Sequence, residues 1–143
     1  MEVVSVCVKC QHQNGHEVDN NGRATVTCES CSTVYTVQSY EVRAKGGRRD
    51  RSSGIKNYSV RVKEPDRDEA MLEFSSKQEI EMRAGDWITG SFSKGKLRYL
   101  LNHKISRYWD VQQGMGCLIG TALFTVLIGT LITFSVLGIV FLT

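Results

Sequence analysis

The stretch from residue 4 to residue 37, VSVCVKCQHQNGHEVDNNGRATVTCESCSTVYTV, decides how the first part of the chain folds. Cys7 and Cys10 form one C-x-x-C pair, Cys28 and Cys31 a second, and 17 residues separate the pairs. Two cysteines three apart on a tight turn aim both sulfurs at one ion, and two such turns complete a tetrahedron. The spacing predicts one structural Zn2+ held by Cys7, Cys10, Cys28 and Cys31. Four protein ligands leave no open position for water, which argues against zinc catalysis. Two disulfides would use the same four residues, but Met1 to Lys9 carries Glu2 and leads into no apolar leader, so a secreted module is disfavoured. A redox pair needs only one C-x-x-C. His12 and His16 flank the first pair and are read as loop residues, because four cysteines already fill the site.

Around the cysteines, Val4, Val6 and Val8 make a short strand. Asn14-Gly15 and Asn20-Asn21-Gly22 supply turns, Arg23 to Thr27 alternates, and Thr33 to Tyr40 is a β-branched strand. This pattern over residues 1–42 resembles a zinc ribbon, most closely the small ribbon fingers at the N-termini of bacterial proteins. It differs in having Val8-Lys9 and Glu29-Ser30 inside the knuckles, where Pro and Gly are commoner. Such ribbons bind nucleic acid, bind proteins or only fold, so the resemblance implies a fold and no single function.

Residues 43–54, RAKGGRRDRSSG, have the composition of a basic flexible linker. Beyond them Tyr58, Val60 and Val62 alternate with polar residues, as do Ala70, Leu72 and Phe74. Ile80 and Met82 precede a Gly85-Asp86 turn, and Leu97, Tyr99 and Leu101 alternate in a last strand. Short strands at this rhythm predict a small β-barrel over residues 55–109. The segment EIEMRAGDWITGSFSKGKLRYLLNHKISRYW is similar to OB-fold barrels, with an SH3-like barrel as the alternative. The expected class is therefore mainly β.

Residues 110–116 read as a juxtamembrane hinge. The 27 residues from Cys117 to Thr143 contain no charged side chain, long enough for one transmembrane helix. Lys104, Arg107, Tyr108 and Trp109 precede them as a basic and aromatic flank, which predicts a tail-anchored, single-pass membrane protein with its N-terminal domains in the cytoplasm. Cys117 at the boundary is a candidate for S-palmitoylation. Gly116, Gly120, Thr121, Thr125, Gly129 and Thr133 form a small-residue stripe suited to helix packing, hence to a homo-oligomer or a partner helix.

Charge is blocky although the net is only +3. Residues 1–40 hold two basic and four acidic side chains, and residues 41–63 eight basic and two acidic. Residues 64–86 hold three basic and eight acidic, and residues 87–110 five basic and one acidic. Arg43, Lys45, Arg48, Arg49 and Arg51 are candidate contacts to lipid headgroups or nucleic-acid phosphates. Tyr58, Phe92 and Tyr99 are candidate base-stacking residues, though their alternation suits the interior of the barrel. No Ser-His-acid set and no glycine-rich phosphate loop occurs. The sequence thus predicts a non-enzymatic adaptor or accessory subunit that meets a protein partner at a membrane. The alternative is a membrane-anchored nucleic-acid-binding protein.

Overall fold

The computed structural model describes residues 1–49 and 52–113, and every regular element among them is a β-strand. In chain order these are β1 (Glu2–Val6), β2 (Gln13–Glu17), β3 (Arg23–Thr27), β4 (Val34–Arg49), β5 (Lys56–Lys63), β6 (Glu69–Ser76), β7 (Trp87–Ser93), β8 (Lys96–Asn102) and β9 (Arg107–Asp110). The transmembrane segment, with Gly116, Cys117, Gly120, Thr121, Thr125, Gly129 and Thr133, lies outside the described residues, as does Arg51.

β4 organises the molecule. Its start pairs with β3 (Arg23↔Gln38 to Thr27↔Val34), and Thr36 to Glu41 pair with β7 along the other edge. Its second half, Glu41 to Arg49, pairs with β5. Between Val42 and Ala44 the register shifts, leaving Arg43 as the extra residue of a bulge. Such a bulge bends a strand and sharpens its twist, which lets one strand serve two halves of a curled sheet.

The linker expected at 43–54 is therefore corrected: residues 43–49 are strand. Their glycines and charges disguised a hairpin arm whose partner, β5, carries the hydrophobic alternation. The boundary drawn at 42 falls inside β4 for the same reason, so the cysteine-bearing unit and the second unit share one strand.

The sheet order is β6-β5-β4-β7-β8-β9, all antiparallel, with β3 added beside β4. Its two edges meet where Ser75 and Gln112 exchange backbone hydrogen bonds of 2.7 and 2.8 Å. Ser76 Oγ adds a bond to the Asp110 carbonyl at 2.9 Å. Residues 110–113, assigned to a hinge by sequence, thus complete the closure, and Val111 is buried in the core.

Inside the curl, Val42, Val60, Val62, Ile88, Leu97, Leu100 and Trp109 form one core. Tyr58 stacks on Phe74 with ring centroids 5.3 Å apart. Residues 77–86 form no strand, yet Ile80 and Met82 enter this core. The Ile80 amide donates to Tyr58 Oη at 3.0 Å, satisfying a buried polar group that no ladder reaches. Gly90 has no room for a side chain, since a Cβ would lie 2.8 Å from Leu97 Cδ1.

The β1–β2 hairpin forms its own two-stranded sheet. Val3, Cys7, Val18, Val26, Cys28, Tyr35 and Val37 make a second core around the cysteines. A third, small cluster of Val6, Tyr99 and Leu101 packs β1 onto the outer face of β8.

Candidate metal centre

The two cysteine turns are built alike. In the first, the Cys7 amide donates to the His12 carbonyl at 2.8 Å and the Gln11 amide to the Cys7 carbonyl at 3.1 Å. In the second, the Cys28 amide donates to the Thr33 carbonyl and the Ser32 amide to the Cys28 carbonyl, both at 2.9 Å. The fifth residue of each turn has a left-handed backbone, Gln11 at φ 63° and Ser32 at φ 61°. This conformation costs little for one residue when the turn fixes it, and it reverses the chain so that the second cysteine faces the first.

The four sulfurs consequently converge, each within 4.8 Å of the others. Cys7 Sγ lies 3.6 Å from Cys31 Sγ, and Cys10 Sγ 3.5 Å from Cys28 Sγ. A tetrahedral ion with metal–sulfur bonds of about 2.3 Å places its ligands about 3.8 Å apart, close to these two separations, so the cluster is of a size to hold one ion. All four cysteines are free thiols. Cys7 and Cys28 are buried, Cys31 half-buried and Cys10 exposed. Thr33 Oγ1 stands 3.2 Å from Cys31 Sγ, and the Thr33 hydroxyl and amide together bring that thiol down to about 6. Lowering the proton affinity of one thiol favours the thiolate that a metal requires. Neither His12 nor His16 belongs to the cluster.

A buried polar network supports this centre from behind. Asn14 Nδ2 donates to the His12 carbonyl at 3.2 Å and to Tyr35 Oη at 3.0 Å. Asn14 Oδ1 accepts from the Glu29 amide at 3.0 Å. Tyr35 Oη and Ser5 Oγ are 2.8 Å apart. Burial raises the proton affinity of the Tyr35 hydroxyl, which keeps it protonated within the network. One side chain thereby ties the backbone of both knuckles. The sequence marks Asn14 only as the first residue of an Asn-Gly turn, and nothing local distinguishes a buried amide from an exposed one.

The basic candidates are not brought together as one patch. Arg43 lies 3.3 Å from Glu41 and 3.8 Å from Glu69. Lys45 Nζ donates to the Ile80 carbonyl at 3.0 Å. Arg48 and Arg49 occupy β4 opposite Asn57 and Lys56. Of the aromatic candidates, Tyr58 and Tyr99 are buried and Phe92 packs against the barrel core. The rings at 58 and 99 therefore have no open face for a base.

Compared with known proteins, the chain matches no family model, no curated sequence and no solved structure.

Proposed function

We propose that this chain is a membrane-tethered, non-enzymatic adaptor whose zinc-stabilised N-terminal unit and OB-like barrel form one docking body on the cytoplasmic face. The observation that carries the reading is the Cys7–Cys10–Cys28–Cys31 cluster itself. It offers four protein ligands to one ion on two equivalent turns, an arrangement suited to stapling a surface rather than activating water. Thiolate sulfur and tetrahedral convergence favour zinc among the abundant divalent metals.

Continuity of β4 adds to this reading. A ribbon on a flexible tether would reorient freely, whereas here it extends the same strand that frames the barrel core. The OB-like assignment rests on a long, bulged first strand paired to both halves of the sheet and on the antiparallel closure. β9 would then be an added strand between β8 and β6. The apolar segment 117–143 supplies the anchor, and the cytoplasmic side follows from the basic flank before it.

Crosslinking pull-down of the full chain from its native membrane, with and without nuclease, tests this function. A Lys9→Glu, Glu29→Lys variant alters only exposed knuckle tips and leaves the cysteines intact. The expected result is a protein partner that survives nuclease and is lost with the variant. Recovery that depends on nucleic acid would replace the adaptor reading with its alternative.

A further inference from the structure

We infer that the β7–β8 turn, Lys94-Gly95-Lys96 with Arg98, is a contact for anionic lipid headgroups that sets how the barrel stands on the membrane; the inference rests on 117–143 being the anchor.

The first observation is reach. Gln113 is held to β8, its Oε1 accepting the Leu97 amide at 3.0 Å. Only residues 114–116 lie between Gln113 and Cys117. A fully extended chain advances at most ~3.5 Å per residue, so Cys117 stands no more than about 14 Å from Gln113. The headgroup layer takes about 6 Å of that span. What remains is at most about one Debye length at physiological ionic strength, so charges beside Gln113 still feel about a third or more of the lipid surface potential.

The second observation is what stands there. Lys94, Lys96 and Arg98 are exposed, and none makes an ion pair among the described residues. Seven other cations, Arg23, Arg43, Lys56, Arg61, Arg67, Lys104 and Arg107, each face a carboxylate. Lys9, Lys63, Lys77 and Arg83 are also exposed without an ion pair among the described residues, but none of them belongs to this turn. Asp110 is the sole acidic residue of β8 and β9. Lys94 adopts φ 51° and Gly95 φ 74°, which fixes a tight turn that presents both lysines at one tip. Juxtamembrane cations of this kind bind anionic leaflets additively.

The test uses the full chain reconstituted in phosphatidylcholine vesicles, with or without phosphatidylserine. Lysine acylation read by mass spectrometry is the probe, with exposed Lys9 and Lys63 as internal controls. Labelling of Lys94 and Lys96 is expected to fall several-fold with phosphatidylserine and to recover in high salt, while Lys9 and Lys63 stay constant. Equal labelling in both vesicles, with the protein still resisting alkaline extraction, overturns this inference and leaves the anchor standing. Extraction from both vesicles overturns the anchor and the inference together. Protection by single-stranded DNA but not by phosphatidylserine reassigns the turn to nucleic acid and overturns it as well.

Discussion

Asn14 Oδ1 accepts the amide of Glu29 at 3.0 Å, so a buried side chain beside the first knuckle holds the backbone of the second. Asn14 also donates to the His12 carbonyl and to Tyr35 Oη. Truncation would take the acceptor from the Glu29 amide and remove both bonds that the Asn14 amide nitrogen donates. Asn14→Ala is expected to cost about 2–4 kcal/mol, from the loss of three hydrogen bonds made by a buried side chain. It should also weaken metal affinity, since the two turns lose their common brace. Urea unfolding at saturating metal and a competition titration with a chromophoric chelator check the two effects. Unchanged affinity would show that the turns hold themselves.

Gly22 joins the N-terminal unit to the barrel. It sits at φ 76°, and a Cβ there would meet the Pro65 ring at 3.0 Å and the Ser39 carbonyl oxygen at 3.1 Å. Its carbonyl accepts the Ser39 amide at 2.8 Å. Gly22→Ala therefore combines left-handed backbone strain with a backbone clash, an expected loss of about 2–3 kcal/mol. Thermal unfolding measures it. Ala at Gly54, where φ is 69° but nothing lies within 4 Å, should cost only the backbone part, about 1 kcal/mol.

The cysteine turns were legible because chemistry fixes their spacing, and β3 and the start of β4 because Arg23 to Thr27 and Thr33 to Tyr40 alternate. β2 was not, since QNGHE has no apolar period and is a strand only because β1 pairs with it. The arm of β4 at 43–49 was hidden by Gly46, Gly47 and its charges, while its extended form is imposed by the β5 register from Val62 to Lys56. Ile80 and Met82 were read as approaching a turn, and their burial was invisible because residues 77–86 are held by tertiary bonds such as Ile80 to Tyr58. Asn14, Tyr35 and Ser5 escaped notice as a set: their partnership spans 30 residues and has no local signature.

His103 and His16 predict an acid-sensitive stability. Burial lowers the proton affinity of His103, with the charge of His16 adding to it. Burial also lowers that of His16, partly opposed by the Asn14 carbonyl near its Nδ1. His103 Nε2 lies 2.6 Å from Thr89 Oγ1, which in turn meets Ser39 Oγ at 3.0 Å. Both folded-state values lie below the unfolded value of 6.5, so the unfolded chain binds more protons as pH falls. The stability is complete above pH 6.5 and declines as pH drops through the folded values. Urea midpoints measured from pH 7.5 downward should fall on the acid side of 6.5, and His103→Gln should flatten that slope. A midpoint independent of pH down to the carboxylate range would contradict the assignment.

Metal removal should separate the two cores. The core around the cysteines contains nothing beyond Val37, and the barrel core nothing before Tyr40. The first is small, and a structural zinc supplies apparent binding energy of about 10–16 kcal/mol to units of this kind, so the N-terminal unit is not expected to stay folded without its ion. The barrel, closed through Ser75 and Gln112, has its own hydrogen-bond circuit. Hydrogen exchange of the full chain with and without chelator reads both regions at once. Amides of residues 5–33 are expected to lose protection, while those of β5, β6, β7 and β8 keep most of theirs. The junction is the sensitive point, because Thr36 to Gln38 lose β3 on one side yet keep β7 on the other. Collapse of protection throughout would mean that β4 transmits unfolding from the cysteines into the barrel. Protection unchanged in residues 5–33 would mean that the Asn14–Tyr35–Ser5 network suffices without metal.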